Sequence, residues 1–394
     1  MTECEKKLIA ENETAFYTFD IGVLKRRVEY LRSRLGNMQL CYAVKANTFI
    51  IKEIENCVER LEVCSPGEYA VCKALGISPE KIVISGVYKT PSFIEELVKD
   101  ADFNGIFTVE SLTQYELLCN LSEKYGRKLS LLLRLTNGSQ FGINKADIDN
   151  IILNKNLKKN IDIMGIQYFS GTQKTSIKKY RREIEKIDAF LTHLKDDLGY
   201  EATELEYGTG FPVSYFEDEK LDEEALLNGF SDIVASMENK PAVTLEIGRS
   251  IAASCGKYYT HIVDKKINKE LGYLLCDGGM HHLVYFGQHM AMKQPLLSVA
   301  GKENEPVGAE WNICGSLCSM NDIIAKYVSL PPVEIGDTLI FENTGAYCMI
   351  ECISLFLTRD IPAVYLIDEN QNAVSVRRTF ETSQLNTPDY ERKI

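Results

Sequence analysis

Short β-branched segments alternate with amphipathic helical segments along the chain as far as about residue 255. This alternation is typical of βα units built around a parallel sheet. The helical segments, for example 23–35 and 176–197, carry apolar residues three and four positions apart. Eight such units predict an α/β fold with a (β/α)8 barrel of the TIM type. The predicted barrel strands are 39–45, 61–65, 81–86, 104–109, 129–135, 162–169, 204–208 and 242–247.

The pattern changes after Gly256, where strand-like segments follow one another with little helix between them. Such a series of strands predicts a β domain, of the sandwich or barrel type, in addition to the (β/α)8 barrel. The predicted domains are 22–255 for the barrel and 1–21 with 256–394 for the β domain, to which the N-terminus contributes a strand. The strand segments that support the β domain are LGYLLCD, PLLSVAG, DTLIFEN and PAVYLI.

Composition narrows the class of protein. The 44 Lys and Arg against 56 Asp and Glu give a net charge of −12, which disfavours nucleic acid and membrane surfaces as partners. No basic leader precedes an apolar segment, and no apolar run reaches the roughly 18 residues of a membrane span, so we expect a cytoplasmic protein. The twelve cysteines lie scattered in strand-like and helical contexts, which predicts reduced thiols. No metal site is predicted, because no C-x2-C or H-x3-H unit occurs among Cys314, Cys318, Cys348, Cys352, His281 and His282.

Lys45 is the first candidate for chemistry, because it ends a strand that otherwise looks buried. Burial disfavours a charged ammonium and lowers its pKa, which is how a lysine becomes an amine nucleophile. The alternative is a lysine at a strand end that reaches solvent.

Two further features follow the seventh and eighth predicted strands. Gly208 and Gly210 form a turn whose backbone N–H groups can surround an anion, although such turns often mark only a tight loop. Glu246 and Arg249 flank Gly248, and their alternative reading is a structural ion pair. The position of these residues supports a functional interpretation, because active sites of (β/α)8 barrels form at the C-terminal ends of the strands. The residues at or near those ends are Lys45, Glu62, Arg134, Phe169, Gly208 and Glu246.

At these residues the sequence resembles the fold-type III pyridoxal-phosphate (PLP) decarboxylases, the family of ornithine/arginine and diaminopimelate decarboxylases. The resemblance covers most of the chain and implies an N-terminal barrel, a C-terminal β domain and a head-to-tail homodimer with active sites at the interface. Eight motifs carry it in order: Tyr42–Asn47, Ser65–Glu68, Phe141–Ile143, Gly171–Gln173, Gly208–Pro212, Glu246–Arg249, Cys318 with Asp322, and Gly345–Tyr347.

The resemblance also implies roles for individual residues. Lys45 would bind the cofactor covalently, Glu62 would lie beside that bond, and Glu246 would pair with the pyridine nitrogen. A carboxylate there keeps the nitrogen protonated and the ring electron-accepting, which favours decarboxylation over racemisation. Cys318, supplied by the partner subunit, would return a proton to the substrate. The other implied cofactor contacts are Phe169 on the ring, with Thr172, Gly208, Thr209, Gly210, Gly248, Arg249 and Tyr347 around the phosphate.

The chain departs from the family pattern where the substrate side chain is recognised. Gln167 and Phe169 replace two family histidines, which leaves an aromatic face without a titrating nitrogen. Tyr285 replaces the arginine of diaminopimelate decarboxylases, and Ser319 replaces an acid; Asp322 completes the expected substrate contacts. Each lost partner removes a charge-assisted bond worth about 1.5–3 kcal/mol. We therefore expect a substrate whose side chain ends without a charge.

These changes resemble a smaller branch typified by the butirosin-pathway decarboxylase of glutamate linked to an acyl carrier protein. The basic run Lys178–Arg182 offers a contact for an acidic carrier, although such runs are commonly solvated helix faces. The sequence thus predicts a PLP-dependent α-decarboxylase of an amino acid with a neutral or tethered side chain. The alternatives are diaminopimelate decarboxylation in lysine biosynthesis, a racemase, and a non-catalytic regulatory paralogue. Retention of Lys45, Glu246 and Cys318 argues against the last of these.

Overall fold

A computed structural model describes residues 1–389; the last five residues of the predicted β domain, 390–394, lie outside the described residues. The chain divides into two compact units. The barrel unit comprises Arg27–Pro212 and Leu221–Ile251, and the sheet unit comprises Met1–Arg26, Val213–Lys220 and the chain from Ala252 onward. Within the described residues, no helix combines the length and apolar character that a membrane span requires.

The chain begins with helix α1 (Glu3–Glu11) and strand β1 (Phe16–Asp20). Thr2 fixes the start of α1, because its hydroxyl accepts the Glu5 backbone N–H while the Glu5 carboxylate accepts the Thr2 N–H at 2.6 Å. This capping box satisfies two N–H groups that the first helical turn leaves unpaired. Phe16 and Leu8 then pack in one buried cluster, which holds α1 against β1.

Eight parallel strands form a closed barrel. They are β2 (Gln39–Ala43), β3 (Arg60–Val63), β4 (Ile82–Ile84), β5 (Ile106–Val109), β6 (Leu129–Arg134), β7 (Ile161–Phe169), β8 (Glu204–Gly208) and β9 (Ala242–Ile247). Strand β9 pairs with β2, so the barrel has no open edge. The accompanying helices are α2 (Ile21–Leu35), α3 (Ile51–Ile54), α4 (Pro66–Ala74), α5 (Pro91–Lys99), α6 (Leu112–Tyr125), α7 (Lys145–Leu153), α8 (Ile177–Asp196), α9 (Glu223–Ala235) and α10 (Arg249–Ala252).

The predicted (β/α)8 barrel is confirmed, and each predicted strand overlaps one strand of the barrel. Every residue of β4 and β5 is buried, as expected for parallel strands that are covered on both faces. The first predicted strand is shorter than expected, because β2 ends at Ala43 and Val44–Ala46 form a 3₁₀ turn. Lys45 therefore lies just beyond the strand, at the C-terminal end of the barrel.

The sheet unit is built on one mixed nine-stranded sheet. Its later elements are β10 (Gly256–Asn268), β11 (Leu271–Cys276), β12 (Leu297–Val299), β13 (Glu310–Cys314), β14 (Ile323–Ser329), β15 (Thr338–Phe341), β16 (Ala363–Ile367), β17 (Ala373–Arg377) and helix α11 (Ser383–Asn386). The strand order is β14-β13-β11-β10-β1-β16-β17, and β15 pairs with both β10 and β12. A β-rich second part of the chain was predicted, and the mixed sheet confirms it.

Strand β10 joins the two halves of this sheet. Its first half pairs with β1 and β15, and its second half pairs with β11 after a shift in register between Ile262 and Asp264. The sequence pattern did not predict β10, β13, β14 or β17. The second half of β10 reads DKKIN and lacks the apolar run that marks a buried strand, whereas β17 reads AVSVR and has four of its five residues exposed.

Candidate active site

Lys45 and Glu62 form an ion pair at the C-terminal end of the barrel. The Lys45 Nζ lies 2.5 Å from Glu62 Oε2 and 3.4 Å from the Cys64 sulfur. The Lys45 side chain is 42% exposed, whereas that of Glu62 is 6% exposed. The amine is therefore held in place by a buried carboxylate while it stays accessible to a ligand.

The charge state of this pair follows from its surroundings. Burial raises the pKa of Glu62, but the Lys45 charge and hydrogen bonds from Lys45 and Cys64 outweigh it, so the net pKa lies below the ordinary value. Burial and the neighbouring Glu62 charge raise the pKa of the Cys64 thiol, which keeps it protonated as a donor to Glu62 Oε1 at 3.3 Å. Glu62 is thus a stable carboxylate beside the amine.

Glu246, at the end of β9, is a carboxyl group poised between two charge states. The Gln167 side-chain amide lies 3.1 and 3.0 Å from its two oxygens. Burial and the Glu62 charge raise the pKa of Glu246 to about 7, against opposing contributions from a Glu206 hydrogen bond and from the charges of Lys45 and Arg134. Such a group exchanges a proton near neutral pH with whatever ring or ligand faces it.

Glu206 lies deeper in the barrel than Glu246, with 0% of its surface exposed against 9%. Burial and the Glu246 charge raise its pKa well above the ordinary value, so Glu206 holds its proton and hydrogen-bonds to Glu246. Arg60 is ion-paired to Glu204 and lies 3.5 Å from Glu206. Two buried carboxyl groups, Glu204 and Glu206, therefore share the one guanidinium of Arg60.

The barrel unit contains a second group of charged residues, Lys89, Glu110 and Arg134. Of these, the sequence pointed only to Arg134. Arg134 lies 2.9 Å from Glu110 and over the ring of Phe141 at 4.9 Å. Lys89 is buried, donates to the Gly86 carbonyl at 2.8 Å, and has its pKa lowered by burial to about 8. Lys89 lies in an irregular loop and Glu110 just after β5, where neither apolar periodicity nor a turn motif marks them.

The turns after β7 and β8 meet at Gly210. Gly210 has a φ of +59°, and a Cβ there would lie 2.0 Å from the Gly171 carbonyl oxygen, so only glycine fits. Arg249 Nε donates to the Thr172 hydroxyl at 3.3 Å, which connects the turn after β7 to the helix after β9. The Thr209 hydroxyl and backbone N–H both donate to the Glu246 carbonyl of β9, at 3.4 and 3.3 Å, so both donors of Thr209 are directed to that strand. Backbone amides and hydroxyls on neighbouring turns are the groups that bind phosphate.

The barrel unit thus brings most of the predicted residues to one end of the barrel. These are Lys45, Glu62, Phe169, Thr172, Gly208, Thr209, Gly210, Glu246, Gly248 and Arg249. Among the described residues, no group of His, Cys, Asp and Glu side chains is arranged to hold a metal ion.

The other predicted residues belong to the sheet unit. Tyr285 is 3% exposed and donates its hydroxyl to the Glu342 carbonyl at 2.7 Å. Asp322 is buried and accepts the backbone N–H groups of Met280 and Leu317 at 2.7 and 2.8 Å.

Cys318 and Ser319 lie between Leu317 and Asp322 in the chain; Cys318 is exposed, and the Ser319 hydroxyl accepts the Asn321 N–H at 3.2 Å. Tyr347 has a φ of +65°. The roles of these residues and of Tyr285 and Asp322 remain predictions.

The sequence matches the model of the family described as "Pyridoxal-dependent decarboxylase, pyridoxal binding domain" over residues 21–253, more than half of the chain. The chain belongs to the pyridoxal-dependent decarboxylases. It is therefore a PLP-dependent carboxy-lyase that acts on an amino acid, as the sequence predicted.

Relatives of this decarboxylase carry two kinds of name. This chain is 27% identical over 360 residues to a diaminopimelate decarboxylase of Aquifex aeolicus, and the match covers 87% of this chain and 84% of that protein. It is 26% identical over 395 residues to the L-glutamyl-[BtrI acyl-carrier protein] decarboxylase of Niallia circulans, covering 93% and 91%. The crystal structure of Helicobacter pylori diaminopimelate decarboxylase in complex with L-lysine shares the fold, with a TM-score of 0.84, 21% identity and coverage of 97% and 98%.

The barrel end fits PLP in three respects. It offers an accessible amine at Lys45, a carboxyl group with a pKa near 7 at Glu246, and glycine turns in which a side chain at Gly210 would collide with backbone. An aldehyde, a pyridine nitrogen and a phosphate are the complementary groups of the cofactor.

Proposed function

We propose that this decarboxylase removes the α-carboxyl group of an amino acid whose side chain ends without a charge, such as glutamate linked to a carrier protein. The observation that carries the proposal is the state of the predicted tail contacts. Tyr285 is uncharged, its hydroxyl is bonded to a backbone carbonyl, and both oxygens of Asp322 accept backbone N–H groups. A substrate with a charged tail would find no counter-charge at Tyr285 and only a carboxyl group already bonded to the main chain at Asp322, at a cost of several kcal/mol when buried.

The barrel residues then have distinct tasks in the reaction. Bound PLP supplies an electron sink for the electron pair that remains when carbon dioxide leaves. Lys45 provides the amine that holds the cofactor, and Glu62 keeps that amine oriented. Glu246 holds a proton at the pyridine nitrogen, supported by Gln167 and by the hydrogen bond from Glu206.

The proton that replaces the carboxyl group needs a donor. In the head-to-tail homodimer that we propose, Cys318 of the partner subunit is that donor, because a thiol is a competent general acid at the α-carbon. Cys318 is exposed in the single chain, as a group that works in another subunit's site must be. We place the enzyme in the cytoplasm, where its twelve free cysteines stay reduced.

A carrier-bound substrate also requires a docking surface. Lys178, Arg181 and Arg182 are exposed in the first turns of α8, which starts at the C-terminal end of the barrel, whereas Tyr180 is buried. Cations at a helix N-terminus oppose the helix dipole, so folding alone does not favour them there. We propose that they meet the acidic surface of the carrier.

Diaminopimelate decarboxylation is the second candidate, because most of the similar named proteins are diaminopimelate decarboxylases. A steady-state panel separates the two candidates. We expect kcat/KM for glutamyl-pantetheine thioester and carrier-bound glutamate to exceed that for diaminopimelate, lysine and free glutamate by about 100-fold or more. Efficient turnover of diaminopimelate would reject the uncharged-tail proposal in favour of the second candidate.

A further inference from the structure

Lys174 is a buried lysine to which the decarboxylation reaction assigns no task. It is 3% exposed and follows the Gly171–Gln173 turn after β7. Its Nζ lies 2.9 Å from Glu183 Oε2, 2.9 Å from the Tyr207 hydroxyl and 3.3 Å from the Ser170 hydroxyl. Every proton of this ammonium therefore has a protein acceptor.

Glu183, in α8, completes a closed network. Ser170 donates to Glu183 Oε1 at 2.6 Å, and Tyr207 donates to Glu183 Oε2 at 2.6 Å. Burial raises the pKa of Glu183, but hydrogen bonds from Ser170 and Tyr207 and the charge of Lys174 lower it below the ordinary value. The carboxylate is therefore ionised and pairs with the ammonium.

This hydrogen-bond network adjoins both glycine-containing turns, the one after β7 and the one after β8. Ser170 immediately precedes Gly171, and Tyr207 immediately precedes Gly208. The Lys174 backbone N–H donates to the Gly210 carbonyl at 2.9 Å. A Cβ at Gly210 would lie 3.0 Å from Lys174 Cε, so the lysine stem fills the space directly behind the turn.

Stability alone gives no reason for an ion pair at this place. Replacing a buried ion pair by apolar residues of similar volume is commonly neutral or stabilising, because desolvation offsets the attraction. What a fully bonded pair adds is one fixed geometry, since its partners come from β8, from α8 and from the turn after β7 and constrain both side chains together. The pair has no net charge, so it acts on a bound anion through backbone position more than through long-range attraction.

We propose that Lys174 and Glu183 are positioning residues that hold the turns after β7 and β8 in the geometry that binds the phosphate of PLP. The proposal rests on the assignment of Thr172, Gly208 and Gly210 to the phosphate, which belongs to the proposed function. Neither residue needs to touch the cofactor.

If Lys174 and Glu183 position the turns, the affinity for the phosphate group should depend on pH. Burial lowers the pKa of Lys174 to about 8, and the Glu183 charge opposes that shift. The groups that face the ammonium are Glu183 and Tyr180 of α8 and Tyr207 of β8, with Lys179 as a further nearby cation. Burial raises the pKa of both tyrosines, so they stay neutral while the lysine titrates. Above pH 8 the pair loses its ionic character, and the affinity for the phosphate group should fall.

The test compares PLP with pyridoxal, which has the same aldehyde and ring but no phosphate. Both ligands are titrated into cofactor-free, full-length protein by absorbance, for wild type, Lys174→Met and the double variant Lys174→Met/Glu183→Gln. We expect the Kd for PLP to rise 10- to 100-fold and the Kd for pyridoxal to change less than threefold. The double variant contains no unpaired buried charge, so it keeps the test decisive if Lys174→Met fails to fold.

Two controls separate the possible failures. Lys257→Met/Glu5→Gln removes a Lys–Glu pair of the sheet unit, 3.0 Å apart, and should leave the ratio of the two Kd values unchanged. Thr172→Val tests the phosphate assignment and should raise the Kd for PLP alone. If Thr172→Val does so and the Lys174/Glu183 double variant does not, the positioning role is wrong. If neither variant changes the ratio, the phosphate assignment is wrong as well.

Discussion

Polar side chains are used differently in the two units of this decarboxylase. At the end of the barrel they bind one another, as Lys45 does with Glu62 and Gln167 with Glu246. At the predicted substrate contacts of the sheet unit they bind the main chain, as Asp322 does with two N–H groups and Tyr285 with a carbonyl. A pair of side chains can exchange its partner for a ligand, whereas a contact with the main chain fixes a loop. The chemistry of the cofactor therefore belongs to the barrel end, and the predicted substrate contacts of the sheet unit are tied to its loops.

Removing the Lys45 amine should have the largest effect on cofactor binding and on kcat. Lys45→Ala should abolish the absorbance band of bound cofactor that borohydride removes, and should lower kcat by at least about 1000-fold, since no other group offers the same nucleophile. Lys89→Met is the matched control, because Lys89 is a buried lysine that already donates to the Gly86 carbonyl. A normal band in Lys45→Ala would refute the assignment of the amine.

The next largest loss of activity is expected for the two carboxyl groups Glu246 and Glu206. Glu246→Gln should lower kcat about 100-fold, because an amide cannot keep the pyridine nitrogen protonated. Glu206→Gln should lower kcat less than tenfold, because an amide still donates a hydrogen bond to Glu246. Comparable losses in both variants would show that Glu206 is as close to the reaction as Glu246.

Cys318 tests whether the sheet unit contributes any group to the chemistry. Cys318→Ala should bind PLP normally, turn over about 10- to 100-fold more slowly and form transamination side products, because proton return loses its donor. Product partition is measured by chromatography of the amine and carbonyl products. Unchanged turnover and partition would leave Cys318 an exposed thiol without a role.

The burial of Glu246 inside the barrel should appear as a pH-dependent stability. The unfolded Glu246 carboxyl ionises near its ordinary pKa of 4.5, but the folded one keeps its proton to about pH 7. The stabilisation is therefore complete below pH 4.5 and is lost as pH rises through 7, at about 1.4 kcal/mol per pH unit in that window. Thermal unfolding of cofactor-free protein should show a falling Tm from pH 5 to 7, and Glu246→Gln should flatten that fall. Equal slopes in wild type and variant would contradict the pKa assignment.

The smallest effect is expected at Tyr285. Tyr285→Phe should cost about 1 kcal/mol of unfolding free energy, because the Glu342 carbonyl loses its buried donor, while kcat/KM changes less than threefold. A tenfold loss of kcat/KM at unchanged Tm would instead make the hydroxyl a direct substrate contact.

The sequence predicted the barrel well, because parallel strands covered on both faces leave apolar runs such as those of β4 and β5. It also located Lys45 and Glu246 at strand ends, since strand ends converge in any (β/α)8 barrel. It did not reveal β17, a five-residue strand in which four residues are exposed and no buried face marks the segment.

The sequence also could not predict which residues pair with the buried charged groups. Lys174 and Glu183 lie nine positions apart, but the Tyr207 and Ser170 hydroxyls that bind Glu183 come from a different strand and turn. Only the closed barrel brings these groups together. The same holds for Gln167, whose contact with Glu246 joins two strands that are not neighbours.

The central claim is that Lys45 at the end of the barrel is the residue that holds PLP. Reduction of the holoenzyme with borohydride, followed by protease digestion and mass spectrometry, locates the pyridoxyl group directly. We predict that the modification is found on the peptide containing Lys45, with one group per chain. Modification of Lys89, Lys174 or any other lysine in place of Lys45 would contradict the account.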